Sequence, residues 1–383
     1  MMKSQLLENV DKKELPDYFR FDQQEKLKEY RKNGWKMIGH FCSYTPEELF
    51  YSNKLLPVRI FPKFAGNFEL ADKYFPAYTC SFARSSLNAL LSNEFDSFDG
   101  FFISSNCDTL RHLLHHFIKK YPTRFIPDLI IPSKVYSKQS EEMLLSELLR
   151  LEKNIQRIFE PRNGDSLGSV VNVYRENRML LKMITELRIR RPGVISGRAM
   201  NEIYHFNMWI DKETANTKMR EFLAEVKCEN SQIPDKPKVF ILGNCCGNND
   251  IIDLIEDCGC YVVNDLLSSG NKYFQDVPER STPMETIASR LNEKITCPTK
   301  IITYSADRHQ ALNQIKEMIK ESRVDGIILL NQKFCDPHGL DRPWMLPGLK
   351  EIGPRILELE SEQDINNSGQ IKTRVEAFIE MIS

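Results

Sequence analysis

The chain has 383 residues, 41% of them hydrophobic and 27% charged, and a formal net charge of −1. That length allows two or three domains, each with its own core. The charge balance excludes the basic excess of a nucleic-acid binder, and no run of about 18 apolar residues is present to cross a membrane. The opening MMKSQLLENVDKKELPDYF is polar and lacks a signal-peptide apolar region, so a cytoplasmic protein is expected. Ten cysteines, at 42, 80, 107, 228, 245, 246, 258, 260, 297 and 335, are not a disulfide framework in a reducing compartment.

Residues 1–34 are predicted as a polar helical segment. WKMIGHF (35–41) predicts a strand. A helix follows over 45–54, with Thr45 as N-cap, Pro46 at the first helical position, and Glu47 and Glu48 in the first turn. LLPVRIF (55–61) reads as a strand, SFARSSLNALLS (81–92) as a helix and FDGFFISS (98–105) as a strand. SSNCDTLRHLLHHF (104–117) turns that strand into an amphipathic helix. RFIPDLIIPS (124–133) reads as a further strand. This alternation predicts a first parallel α/β domain over 35–137.

Residues 138–234 form a helical segment. SEEMLLSELLRLEKNIQRIF (140–159) and ENRMLLKMITELRIRRP (176–192) carry apolar residues at helical spacing, and IPDKPKV (233–239) reads as a linker. A second α/β domain spans 235–383. KVFILGNCCGNNDIIDLIEDCGCYVVNDLL (238–267) reads strand, loop, helix, Gly259 at the helix end, strand. VDGIILLNQKFCDPHG (324–339) contains a strand ending at a cysteine, PRILELE (354–360) is a strand, and GQIKTRVEAFIEMIS (369–383) is a terminal helix. The fold class is therefore α/β: two flavodoxin- or Rossmann-like parallel-sheet domains with added helices and a cleft between them.

Cys42, Cys107, the Cys245–Cys246 pair and Cys335 follow apolar runs at predicted carboxyl ends of strands. Cys80 follows a short aromatic run and precedes a helix. Ligands of open α/β sheets bind outside the carboxyl ends of the strands, and helix N-termini there favour thiolates and anions. Thiolates gathered from distant parts of a chain suit an iron–sulfur cluster or a zinc ion. No C-x-x-C pair is present, so zinc is the weaker choice. Against both stands the plain reading of scattered core cysteines, because free cysteine packs as a small hydrophobe. Cys258 and Cys260, on either side of Gly259, read as core, and Cys228 as a bystander in a charged helical tail. Cys297, in ITCPTK (295–300), precedes a proline in a loop and could reach the cleft. His112, His115 and His116 read as a solvated helix face, and His338 is a weak ligand candidate close to Cys335. The chain has no G-x-x-x-x-G-K-[ST], so it should not hydrolyse nucleotide by phosphate-loop chemistry. It has neither G-x-G-x-x-G nor G-x-S-x-G, and no catalytic acid or base is assigned.

CSYTPEELFYSNKLLPVRI (42–60), YTCSFARSSL (78–87), FDGFFISSNCDTLRHL (98–113), VVNDLLSSGNKYF (262–274), VDGIILLNQKFCDPHG and GQIKTRVEAFIEM (369–381) carry a resemblance. Together they resemble the 2-hydroxyacyl-CoA dehydratase component D and benzoyl-CoA reductase subunit family, over nearly the whole chain. The resemblance implies two α/β domains with a [4Fe-4S] cluster in the cleft, held by Cys80, Cys107 and Cys335, with the fourth iron position open. It implies a separate ATP-hydrolysing iron–sulfur activator protein that injects one low-potential electron, and a partner that is a paralogous subunit or a second copy. The electron makes a ketyl radical from an acyl-CoA thioester and lets water leave; in the benzoyl-CoA branch it reduces an aromatic ring. Cys42, Cys245 with Cys246, and Cys297 exceed the needs of one such cluster. The related double-cubane cluster proteins, homodimeric reductases of small molecules, use extra cysteines to hold an [8Fe-9S] cluster, and that branch is the alternative, the choice turning on whether Cys42, Cys245 and Cys297 point into the cleft. A second alternative is a non-catalytic paralogous subunit.

Overall fold

The computed structural model describes residues 15–62, 68–104, 106–159, 166–227, 233–244, 247, 249–294, 297–300, 306–362 and 368–383. Two parallel sheets organise it. The first contains β1 (Lys36–His40), β2 (Leu55–Arg59) and β3 (Gly100–Phe102), in the order β2-β1-β3. The second contains β4 (Lys238–Gly243), β5 (Tyr261–Leu266), β6 (Gly326–Gln332) and β7 (Arg355–Ser361), in the order β5-β4-β6-β7. β2, β4 and most of β6 are short apolar runs buried on both faces, as parallel strands covered by helices must be, while the edge strand β7 is largely half-exposed. Pro57 is tolerated because β2 is an edge strand.

Helices α1 (Gln23–Lys32), α2 (Glu47–Tyr51), α3 (Ser81–Leu91) and α4 (Asp108–Lys120) accompany the first sheet. Helices α5 (Lys138–Ile158), α6 (Leu167–Arg190), α7 (Gly197–Trp209) and α8 (Lys212–Lys227) lie between the sheets in sequence. Helices α9 (Asp250–Asp257), α11 (Ala306–Ser322), α12 (Asp336–Lys350) and α13 (Ser368–Ile382) accompany the second, whereas α10 (Pro283–Glu293) packs against α5, α6 and the core of the first. None of the described helices is long and apolar enough to cross a membrane. One core is shared: Ile38 and Phe102 of the first sheet pack with Leu144 and Leu148 of α5 and with Met284, Ile287 and Leu291 of α10.

Strand order fixes where a ligand can sit. From β1 the chain moves outward to β2 and then crosses to β3 on the other side. From β4 it moves to β5 and crosses to β6. The loops after β1 and β3, and those after β4 and β6, therefore diverge and leave a crevice at each switch point.

The structure corrects four expectations. Thr45 does not cap α2; Pro46 occupies the N-cap position, and the Thr45 hydroxyl donates to the Cys42 carbonyl at 2.8 Å and lies 3.0 Å from His40 Nδ1. Residues 124–133 form no strand, only an isolated bridge between Gly100 and Phe125, because Pro127 and Pro132 remove ladder donors. Within the described part of 1–34, a 3-10 turn at Asp17–Phe19 comes first, and α-helix begins only at Gln23, capped by Asp22. Helices α10 and α11 were not expected, although α10 announces itself: Thr282, Pro283 and Glu285 form a capping box with proline in the first turn. Gly259 ends α9 with φ +96°, as its position implied.

Candidate active site

Three helices start at a cysteine. Cys80, Cys107 and Cys335 are the N-cap residues of α3, α4 and α12, and none of these helices has a side-chain cap. Elsewhere Ser137, Ser166 and Ser196 cap α5, α6 and α7 through their hydroxyls, so the fold uses ordinary caps where no thiol is needed. The uncapped N–H groups and the helix dipole leave each thiol in a field that favours negative charge. Phe334, immediately before Cys335, is held at φ +60° and is 45% exposed. A phenylalanine in that left-handed region is strained, and such strain concentrates where a fold must aim a particular group.

The two sheets meet at these thiols. Gln332, the last residue of β6, donates from its side-chain amide to the Ser81 hydroxyl at 2.8 Å, joining the start of α12 to the start of α3. Gly243 ends β4, and a Cβ there would collide with the Leu330 carbonyl oxygen, so only glycine lets β4 and β6 approach this closely. The next residue, Asn244, accepts from the Gln332 backbone N–H at 3.3 Å and reaches His338 Nδ1 at 3.1 Å. His338 Nδ1 in turn lies 3.4 Å from Cys335 Sγ. On the first sheet Asn106 donates to Cys42 Sγ at 2.9 Å, which puts Cys42 on the same side as Cys107. The Cys297 backbone N–H donates to the Tyr44 hydroxyl at 3.2 Å, bringing Cys297 to the loop after β1. Cys245 and Cys246 lie outside the described residues, as does Cys228.

Electrostatics tie the thiols together. Burial pushes Cys80 up to about 11, with Cys107 and Asp336 adding to the rise. Burial pushes Cys107 and Cys335 up to about 12; Cys335, Cys42 and Cys297 add to the first, and Cys80 and Cys297 to the second. Each of the three thiols therefore feels the charge of at least one of the others. Cys42 differs. Burial pushes it upward, but the Tyr44 N–H, the Ser104 hydroxyl, Arg59 and Lys294 outweigh burial and leave it below its ordinary value. Three buried lysines face this group. Lys294 bonds the Ser43 carbonyl and lies 4.1 Å from the Tyr44 ring centre. Lys300 donates to the Ile131 carbonyl at 2.9 Å, and burial lowers it to about 8. Lys272 is 4% exposed and its electrostatic neighbours are Cys297, Asp341 and Cys335.

These residues fit a metal–sulfur group. The donor set is thiolate-rich, and a coordinating metal deprotonates a thiol outright, removing the penalty that burial imposes on these sulfurs. Asn106 Oδ1, Thr299 Oγ1, Asn331 Nδ2 and His338 Nε2 are buried without a hydrogen-bond partner among the described residues. Each lies within four residues of one of the cysteines, where an orphaned polar atom marks room for a further group. No three Cys, His, Asp or Glu side chains among the described residues stand close enough to share a single metal ion. A cubane carries its iron atoms at separate corners and takes thiolates that are farther apart. Cys260 is buried and packs with Val239, Ile255 and Phe378, with Cys258 beside them, away from the cleft. His112 and His115 are exposed. The larger described cavities are elsewhere: one of about 770 Å³ is lined by Phe19, Phe21 and α7. Another of about 820 Å³ runs along α6 and ends at Lys294. Lys272, Lys294, Lys300 and Asn244 were not singled out from sequence, because nothing local marks a lysine in a turn as buried.

Fold and site together describe an α/β protein with two parallel sheets and with cysteines at the starts of three helices. A sequence profile of the 2-hydroxyglutaryl-CoA dehydratase D-component matches residues 42–382, and the chain belongs to that family. It is 28% identical to the (R)-phenyllactyl-CoA dehydratase beta subunit of Clostridium sporogenes, over 93% of this chain and 94% of that one. It is 23% identical to the lactoyl-CoA dehydratase beta subunit of Anaerotignum propionicum, over 90% and 91% of the two chains. It is 24% identical to a subunit of the benzoyl-CoA reductase of Thauera aromatica, over 88% and 87%.

Proposed function

We propose that this chain is the iron–sulfur subunit of an activator-dependent 2-hydroxyacyl-CoA dehydratase or a related acyl-CoA reductase, with an acyl-CoA thioester as substrate. The observation that carries the reading is the placement of Cys80, Cys107 and Cys335 at the N-caps of α3, α4 and α12, from both sheets, in one electrostatic neighbourhood. These three residues would hold a [4Fe-4S] cluster. When bound, such a cluster supplies a low-potential electron and an open iron position. The chain's own part is to keep the thiolates dry, to hold them with helix N-termini and to set buried lysines around them. An ATP-hydrolysing iron–sulfur activator is the proposed electron source, and a paralogous subunit is the proposed partner, as the subunit names of the relatives support.

The test is an iron and sulfide count on protein purified without oxygen, followed by reduction with activator, ATP and a low-potential reductant. About four of each per chain are expected. Reduction should need the activator, and the chain alone should show no ATPase activity. A chain that binds no iron after reconstitution would overturn the reading and leave the non-catalytic subunit.

One observation favours the double-cubane alternative: Cys42 and Cys297 adjoin Cys107, with Cys42 below its ordinary pKa. The variant Cys42→Ala decides between the two. With a single cubane, iron stays unchanged and only rate shifts, by about tenfold or less, through the altered surroundings of the cluster. With the larger cluster, native iron is about eight per chain, and the variant falls to about half of that or lower. The single cubane is the expected result.

A further inference from the structure

A small cavity of about 20 Å³ lies beside the loop after β1. Ser43 and Thr45 of that loop line it, with Glu47 at the start of α2. Arg178 of α6, Lys212 of α8 and Arg290 of α10 close the other sides. All six residues are buried. The hollow therefore sits where the loop that carries Cys42 meets the central helices and α10. A single water needs about 10–15 Å³ and a few polar partners. This cavity is large enough, and its walls are charged.

The polar groups on the walls are incompletely bonded to one another. Glu47 Oε2 and Lys212 Nζ stand 3.6 Å apart. A direct hydrogen bond between an ammonium and a carboxylate spans about 2.7–2.9 Å, and water commonly bridges the longer gap. The other Glu47 oxygen faces His40 Nε2 at 3.2 Å. Lys212 gives a proton to the Asn207 carbonyl, and an ammonium has three to give. Arg290 donates from Nη2 to Glu48 at 3.2 Å. Its Nε is buried with no hydrogen-bond partner among the described residues, and an unmet donor in the interior is costly.

We propose that this cavity is a binding site for one ordered water, which accepts from Lys212 and Arg290 and donates to the Glu47 carboxylate. Cavities that stay dry are apolar, and this one is lined by three cations and a carboxylate. A halide ion would suit the cations, but it would meet the Glu47 carboxylate on the same wall with no proton to offer it. A water serves both signs of charge. It ties α2 to α8 and α10 in the middle of a buried charge cluster, where neither a direct contact nor bulk solvent completes the bonding. The loop between Cys42 and α2 is thereby supported from its inner side.

The test is crystallographic and uses the full chain, native, soaked in sodium bromide, and pressurised with xenon. The native crystal should show a peak in the cavity, about 2.7–3.2 Å from Lys212 Nζ and Glu47 Oε2. No anomalous signal of bromide or xenon should appear there. A bromide signal would make this an anion site. A xenon signal, or a native crystal with no peak, would make it a dry cavity. Each of these outcomes overturns the proposal. In solution, Ser43→Val places methyl groups against the same space and should remove one long-lived water, counted by magnetic relaxation dispersion of water oxygen-17 against the native chain. An unchanged count overturns the proposal as well. If that variant fails to fold, the native crystals carry the test alone.

Discussion

Replacing Cys107 by Ser is expected to lower iron content well below that of the native chain and to cut activity by more than about a hundredfold, since disturbing the surroundings of a metal ligand alone costs about 10- to 100-fold. Cys107 starts α4 with no side-chain cap, and burial among other thiols holds it at about 12. A serine hydroxyl at this point is a hard, weakly acidic ligand that iron–sulfur chemistry does not favour. Cys80→Ser and Cys335→Ser should behave alike, because each sits at the equivalent corner of α3 or α12. Cys258→Ser is the control. Its thiol lies 3.1 Å from the Leu254 carbonyl within its own helix, where a serine hydroxyl can donate instead, so iron should stay at the native level. Colorimetric iron and sulfide counts on the four variants check this. Iron lost from Cys258→Ser but kept in Cys107→Ser would reverse the assignment.

Legibility from sequence followed the range of the interaction. Short runs bounded by turn residues gave all of the strands β1 to β7, because a parallel strand buried on both faces is a continuous local apolar pattern and the edge strand β7 alternates along RILELES. The stretch 124–133 failed as a strand for an equally local reason, its two prolines. Thr45 failed as a cap because its hydroxyl is taken by Cys42 and His40, and no local rule weighs a tertiary competitor against a cap. The corner cysteines were visible as thiols at the ends of strands. That Cys42 shares a side with Cys107 depends on Asn106 bridging the two loops, and that Lys272 is buried depends on its distant packing. The roles of Cys80, Cys107 and Cys335 came from the resemblance, since spacing alone does not choose three ligands from ten cysteines.

Glu48→Ala is expected to destabilise the chain by about 3–5 kcal/mol, the usual result of removing one partner from a buried ion pair. Glu48 is 1% exposed on α2, 2.9 Å from Arg178 of α6 and 3.2 Å from Arg290 of α10. Arg178 retains Asp276 at 2.7 Å, but Arg290 would keep only the more distant charge of Glu47, with no carboxylate among the described residues at ion-pair distance. The carboxylate therefore joins the first sheet, the central helices and the second half of the chain at one point. Its neighbour Glu47 lies 3.2 Å from His40 and 3.6 Å from Lys212. Burial pushes Glu47 upward, but Lys212, His40 and Arg290 outweigh it and leave it at about 2, against 4.5 ordinarily. Glu48 is depressed as well. For groups depressed on folding, the stabilisation is present above the unfolded value and is lost as pH falls through the folded one. Stability should therefore decline between about pH 4.5 and pH 2, and less steeply in Glu48→Ala. Urea unfolding across that range measures both effects. Because α2 directly follows the loop that carries Cys42 and Tyr44, the same variant should also loosen Cys42, seen as faster alkylation in the iron-free chain. A loss of less than about 1 kcal/mol would mean that the guanidinium groups find water instead, and that apolar packing of α10 on the first sheet, not charge, holds the halves together.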